Sequence, residues 1–306
     1  MDIFDLRKKK ILAAGLITVI CCILMVVFPT VALYSARKGI SLWLTNVLPA
    51  LLPFFICANF LHNIGVIRIL KSGVFPFAMS VLSGYPMGAK IVGDLRRGGE
   101  ISLNEAKRLM SFCSTSGPAF MVGAVGAGML GSGLLGGIIA ASHYIGAMVN
   151  GLIYTRIYGR DSIGALMCPA PQNISMQEAF TDSILSAFKS LGIVLAYIVL
   201  FMFITDVFHM CGVFSVLPGA ELRALLKGFM EMTVGCGAVA ECVAASEQVK
   251  CVLCAAILSW GGLSVMGQSM SMLSGTGISL GYLLVSKFTH CIFSAVTALI
   301  LTLFML

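Results

Sequence analysis

The sequence predicts an all-α polytopic membrane protein, an inverted repeat with two re-entrant helical hairpins and two broken transmembrane helices; three observations carry this. Of 306 residues, 58% are hydrophobic and 11% charged, with a mean hydropathy of +0.99, outside the range of water-soluble domains. Apolar stretches such as 11–33 and 278–306 reach the roughly 20 residues that an α-helix needs to cross the hydrocarbon layer, while the alternation of a β-barrel strand is missing. Several stretches are interrupted by Ser, Gly and Pro, and lipid tolerates an open backbone only against protein or water.

The first apolar run follows Arg7, Lys8, Lys9 and Lys10, as a signal peptide would. It is too long for a signal-peptide core and lacks a small-residue cleavage site before Arg37 and Lys38, so it reads as a retained helix. A second span over 41–62 should bend at Pro49 and Pro53, which remove backbone donors. The stretch 63–72, with Arg68 and Lys71 among Ile and Leu, suits a short interfacial segment. The run 73–95 contains Ser83-Gly84-Tyr85-Pro86-Met87-Gly88, which a regular helix cannot pass because Pro86 disfavours α geometry at Tyr85. Each half has about ten residues, too few to cross, and predicts a re-entrant hairpin that opens on the polar loop 96–100.

Ser102 followed by Glu105 is a capping signature for a span over 103–130, broken in its middle by Ser114-Thr115-Ser116-Gly117-Pro118. A glycine-rich span over 132–154 follows, suited to close packing, and then a polar connector to Ser175 with Pro169, Pro171, Gln172 and Asn173. The second half repeats this order. A span covers 179–208, a hairpin over 221–246 is predicted to break at Thr233-Val234-Gly235-Cys236-Gly237, a broken span over 247–274 carries Ser259-Trp260-Gly261-Gly262, and 278–304 closes the chain. His143 and His290 fall at corresponding places. The recurrence divides one transmembrane domain, 1–306, into repeats over 41–155 and 176–306.

The net charge of +7 is read as topological. With the N-terminus cytoplasmic, Arg68, Lys71, Arg96, Arg97, Lys107, Arg108, Arg156 and Arg160 fall on the inner side, against Arg37, Lys38, Arg223, Lys227 and Lys250 outside. The second hairpin then opens from the opposite face to the first, which makes the repeat inverted. The eleven cysteines lie mostly in apolar helices, and the Cys251-x-x-Cys254 pair lacks a second half-site, so they read as small apolar side chains and no metal is expected.

Broken helices expose peptide groups and dipole ends that favour charged ligands. The predicted substrate site is therefore the breaks themselves, Gly84, Pro86, Gly117, Gly235 and Gly261. Beside them stand the hydrogen-bonding groups Ser83, Tyr85, Ser114, Thr115, Ser116, Thr233 and Ser259. Lys90 and Glu231 add opposite charges, and Gln268 is an amide within an apolar span; an ion pair or snorkelling is the plainer reading of Lys90 and Glu231. His143 and His290 read either as proton-relay groups or as satisfied bundle histidines. The glycine run 123–137 lacks the Gly-Lys-Ser/Thr ending of a phosphate loop, and neither His-Glu-x-x-His nor Gly-x-Ser-x-Gly occurs. No cofactor, no enzyme activity and no nucleic-acid partner are expected.

Ser83-Gly84-Tyr85-Pro86-Met87-Gly88-Ala89-Lys90, Glu105-Ala106-Lys107-Arg108-Leu109 and Ser116-Gly117-Pro118-Ala119-Phe120 resemble YlbJ-type sporulation integral membrane proteins, of the nucleoside-recognition or Gate domain superfamily. Glu231-Met232-Thr233-Val234-Gly235 and the run from Trp260 to Gln268 are similar to that family as well, and the resemblance covers Leu42 to the C-terminus. It implies an architecture like that of concentrative nucleoside transporters and a bacterial cytoplasmic membrane, in particular the outer forespore membrane. It also implies a role in moving dipicolinic acid into the forespore during sporulation. The expected partners are the lipid bilayer and a small solute, dipicolinate or nucleoside-like, with a homo-oligomer left open. A non-transporting scaffold or gate partner in a sporulation assembly is the alternative, in which the breaks serve packing alone.

Overall fold

The computed structural model describes residues 3–65, 74–159 and 175–306, and among them every regular element is helical. Arg68 and Lys71, the interfacial segment expected around them, and the connector with Pro169, Pro171, Gln172 and Asn173 lie outside the described residues. Among the described residues, four helices are long and apolar enough to cross a membrane, or five if a bent N-terminal pair counts as one span. The protein is therefore a polytopic helical membrane protein.

Helix α1 (Ile3–Val27) stops at Phe28 and α2 (Pro29–Leu42) begins with Pro29, so the single helix expected over 11–33 is corrected to a pair bent by 103°. Proline is well placed at a first helical turn and badly placed inside one. Residue 41 does not begin a new span either. A π-helical turn, Trp43–Val47, joins α2 to α3 (Leu48–Asn63). The wider turn sits just ahead of Pro49, and α3 continues through Pro53 without a break.

Next come α4 (Val74–Ser83) and α5 (Met87–Arg97), two short helices meeting at Gly84–Pro86. Helix α6 (Leu103–Met110), capped by Ser102, gives way to an irregular stretch at 111–118 and then to a π-helix, Ala119–Met129. The capped helices α7 (Gly133–Tyr158) and α8 (Met176–Met210) are uninterrupted. The second set comprises α9 (Ala220–Met230), α10 (Met232–Ala240), α11 (Glu247–Trp260), α12 (Gly262–Met272) and α13 (Leu280–Met305).

The predicted break at 233–237 is corrected to Glu231. That residue alone is extended, at φ −141° and ψ 118°, and its carboxylate accepts from Val234 N–H at 2.9 Å, so it ends α9 and caps α10. Gly235 stays helical because its bare face is where α9 crosses. A Cβ there would fall 2.0 Å from the Gly228 Cα, so the two glycines let the antiparallel helices touch.

Two long helices form the frame. Helices α7 and α13 pack along their length, with α11 against both. Gly146 sits against Ser294 so closely that a Cβ would lie 2.3 Å from the hydroxyl oxygen. Helices α11 and α12 are one span long. At its start this span follows the α10–α11 loop; at its end Arg97 of α5 donates to the carbonyls of Met272 and Ser274 at 2.8 and 2.9 Å.

Candidate functional site

The interruptions converge on one another. Gly84, at φ +78°, lies against the 111–118 stretch, where a Cβ would stand 2.6 Å from Gly117 N. Tyr85 reaches the α11–α12 break, its hydroxyl donating to Leu258 O at 3.1 Å, and a Cβ on Gly261 would meet its ring at 3.7 Å. Gly262, at φ +78°, backs onto the turn at Glu231, within 3.1 Å of Met230 O and Met232 N by the same measure. Only glycine allows these left-handed turns and close approaches without strain. Four breaks distant in sequence thus share one buried centre.

A continuous polar chain fills it. Ser116 N–H donates to His143 Nε2 at 2.9 Å, and His143 Nδ1 lies 2.8 Å from Ser259 Oγ. An amide can only donate, so Nε2 of His143 bears the lone pair and Nδ1 the proton. His290 Nε2 lies 2.9 Å from the His143 carbonyl, which fixes the opposite tautomer and turns its Nδ1 lone pair inward. The two rings stand 4.7 Å apart. Lys287 completes the chain by donating to Tyr85 Oη at 2.5 Å, Ser114 O at 2.8 Å and His290 Nδ1 at 3.4 Å, while sitting over the Tyr85 ring. All these side chains are buried. The three partners of Lys287 are all neutral, and none is a carboxylate.

The predicted residues divide. Tyr85, Ser114, Ser116, Ser259 and Gly261 touch this chain or its walls; Gly84, Pro86 and Gly117 make the adjoining turns. Ser83 turns back to Met79 O at 2.5 Å. Thr115 pairs with Ser80 Oγ at 2.8 Å, and Ser80 also holds Cys113 O at 2.5 Å, so both serve the α4–111–118 seam. Lys90 is drawn away into a bond with Asp94 Oδ2 at 2.8 Å, extended by Asp94 to Arg97 at 2.6 Å. Glu231 caps α10, Thr233 and Gly235 lie within α10, and Gln268 donates to Ser264 Oγ at 3.2 Å one turn away.

Lys287 was not singled out from the sequence, although a lone lysine inside the apolar run 278–306 is itself a signal of function. His143 and His290 stand outside the sequence-predicted site. Their spacing along the chain gives no hint that α7 and α13 bring the rings together.

Helix starts divide into those with a side-chain cap and those without. Helices α6, α7, α8, α11 and α13 have serine caps, at Ser102, Ser132, Ser175, Ser246 and Ser279. At the breaks, Glu231 caps α10, while α5 and α12 start without a side-chain cap, as α2, α3 and α9 also do. Two dipole ends therefore face the centre without an internal oxygen acceptor from a cap. Among the described residues no group of His, Cys, Asp and Glu could hold a metal ion.

These features define a class: polytopic helical membrane proteins whose interrupted helices meet around a buried polar centre. The chain is 29% identical over 320 residues to the sporulation integral membrane protein YlbJ of Bacillus subtilis (strain 168), a match covering 89% of this chain and 78% of that one. The chain is thus similar to that membrane protein over most of its length. No family model matches the chain, and no solved structure does.

Proposed function

We propose that this protein carries a small anionic or nucleoside-like solute across a bacterial membrane, and that the solute binds where the four breaks meet. The observation that carries this reading is a buried lysine, Lys287, held by neutral acceptors beside two uncapped helix N-termini. A buried charge of one sign is costly, and convergent positive groups suit an anion. The work is transport and not catalysis.

Several finer readings belong to this proposal. The pairs α4–α5 and α9–α10 are re-entrant hairpins within an inverted repeat, a Gate-type arrangement like that of concentrative nucleoside transporters, with the solute near the bilayer midplane. In its support, the mouth of the second pair adjoins the start of α11 and that of the first adjoins the end of α12, so opposite ends of one span carry them. Dipicolinate, moved into the forespore across the outer forespore membrane, is the solute that family resemblance favours. As a planar dicarboxylate it matches the charge of the site.

Purified protein in liposomes is expected to take up pyridine-2,6-dicarboxylate or a nucleoside. His143→Leu should lower that uptake at least about tenfold at unchanged membrane abundance, because it removes the link between Ser116 and Ser259. Uptake that survives the change rejects the site. Absence of flux for either solute class, together with a stable complex with another membrane protein, favours the scaffold reading instead.

A further inference from the structure

A buried ammonium surrounded only by neutral acceptors poses a charge problem each time the site empties. The titratable groups facing Lys287 are Tyr85 from the α4–α5 turn, His143 from α7, and His290 and Cys291 from α13 itself. Among the described residues, the remaining walls give neutral groups, the Ser114 carbonyl, the Leu258 carbonyl that Tyr85 holds, and the Ser259 hydroxyl on His143. Carboxylates lie elsewhere. Asp94 is taken by Lys90 and Arg97, Glu105 by Arg108 at 2.5 Å, and Glu231 by the α10 amides.

We propose that Lys287 is the counter-charge for one carboxylate of the bound solute and that its proton leaves the site with that carboxylate, so solute movement is coupled to one proton. This rests on the solute site proposed above. In the loaded state the ammonium and the carboxylate neutralise each other, and the pair is far less costly in low dielectric than either ion alone. In the empty state the nitrogen is a neutral amine. The balance is simple: ammonium plus bound carboxylate becomes amine, released carboxylate and one released proton, with no other bond changed. His290 is placed to relay that proton. Its Nε2 is committed to the His143 carbonyl and its Nδ1 faces Lys287, so the lone pair is the acceptor nearest the ammonium on its own helix.

The arrangement also explains why a lysine, and not an arginine, suits the position. A guanidinium keeps its proton under all biological conditions, whereas an amine can lose one when desolvated. Lys287→Arg would bind the carboxylate and hold its proton throughout.

Calorimetry in detergent, with pyridine-2,6-dicarboxylate as probe and buffers of differing ionisation enthalpy, counts the protons taken up on binding. The wild type is expected to take up about one proton per bound probe at alkaline pH, with affinity falling about tenfold per pH unit there. Lys287→Arg should bind with no proton uptake, and Lys287→Gln should lose binding. Wild-type binding without proton uptake overturns the coupling and leaves the solute site standing. Binding of a nucleoside but not of this probe would refute the carboxylate role and keep the site; binding of neither would remove both. Both decisive measurements use the unaltered protein, so a misfolded variant does not blunt them.

Discussion

Asn150 of α7 and Ser294 of α13 show how differently two buried polar residues can behave in the same seam. Asn150 donates to Ser111 O at 2.8 Å and Ser286 O at 3.1 Å, and accepts from Thr289 Oγ1 at 2.7 Å. Three elements are tied by one amide. Replacing it with leucine should cost about 0.6–2 kcal/mol, the range for hydrogen bonds between membrane helices, read as a lower thermal midpoint in detergent. Ser294 Oγ is buried without a hydrogen-bond partner among the described residues. Ser294→Ala removes an unsatisfied hydroxyl without adding volume, so its midpoint should stay level or rise; a fall of several degrees would mean that the hydroxyl has a partner. The sequence offers little to separate these two residues. Both are small polar side chains in apolar runs, and what differs is the neighbour that folding supplies.

At the level of elements, the interruptions were legible where glycine or proline makes them. Gly84 with Pro86, Gly117 with Pro118, and Gly261 with Gly262 announce their turns in the sequence, because those residues loosen or forbid helical geometry. The remaining break was misplaced by a few residues. Gly235 drew attention, but its bareness serves contact with Gly228, and the chain turns at Glu231, whose side chain supplies the cap. A glycine in a membrane helix therefore has two opposed meanings, and only the crossing partner tells them apart. Gly88 belongs to the packing class: a Cβ there would stand 1.6 Å from Cys113 O, whereas one on Gly281 meets nothing within 4 Å. Gly88→Ala should therefore push α5 off the 111–118 stretch and reduce the folded yield, while Gly281→Ala should leave yield and midpoint near those of the wild type. Equal behaviour of the two on size-exclusion chromatography would contradict the close approach.

Across the whole molecule the charge count and the geometry can be tested together. The positive-inside tally puts the N-terminus in the cytoplasm but leaves Arg37 and Lys38 in dissent, and part of its weight rests on Arg68, Lys71 and Arg160, outside the described residues. The helices bear on a separate point, the membrane faces toward which the α4–α5 and α9–α10 pairs open. Arg97 is tied to the end of α12, and the loop before Glu247 opens the same span, so the region of Asn104 beyond one hairpin and that of Val243 beyond the other should lie on opposite membrane faces. Both positions are exposed. In a variant whose exposed native cysteines are replaced, Asn104→Cys should resist an impermeant maleimide added to intact cells and react after lysis, while Val243→Cys should react from outside. Labelling of both from one face would reject the inverted repeat proposed above, and with it a solute site around Lys287 reached from both sides.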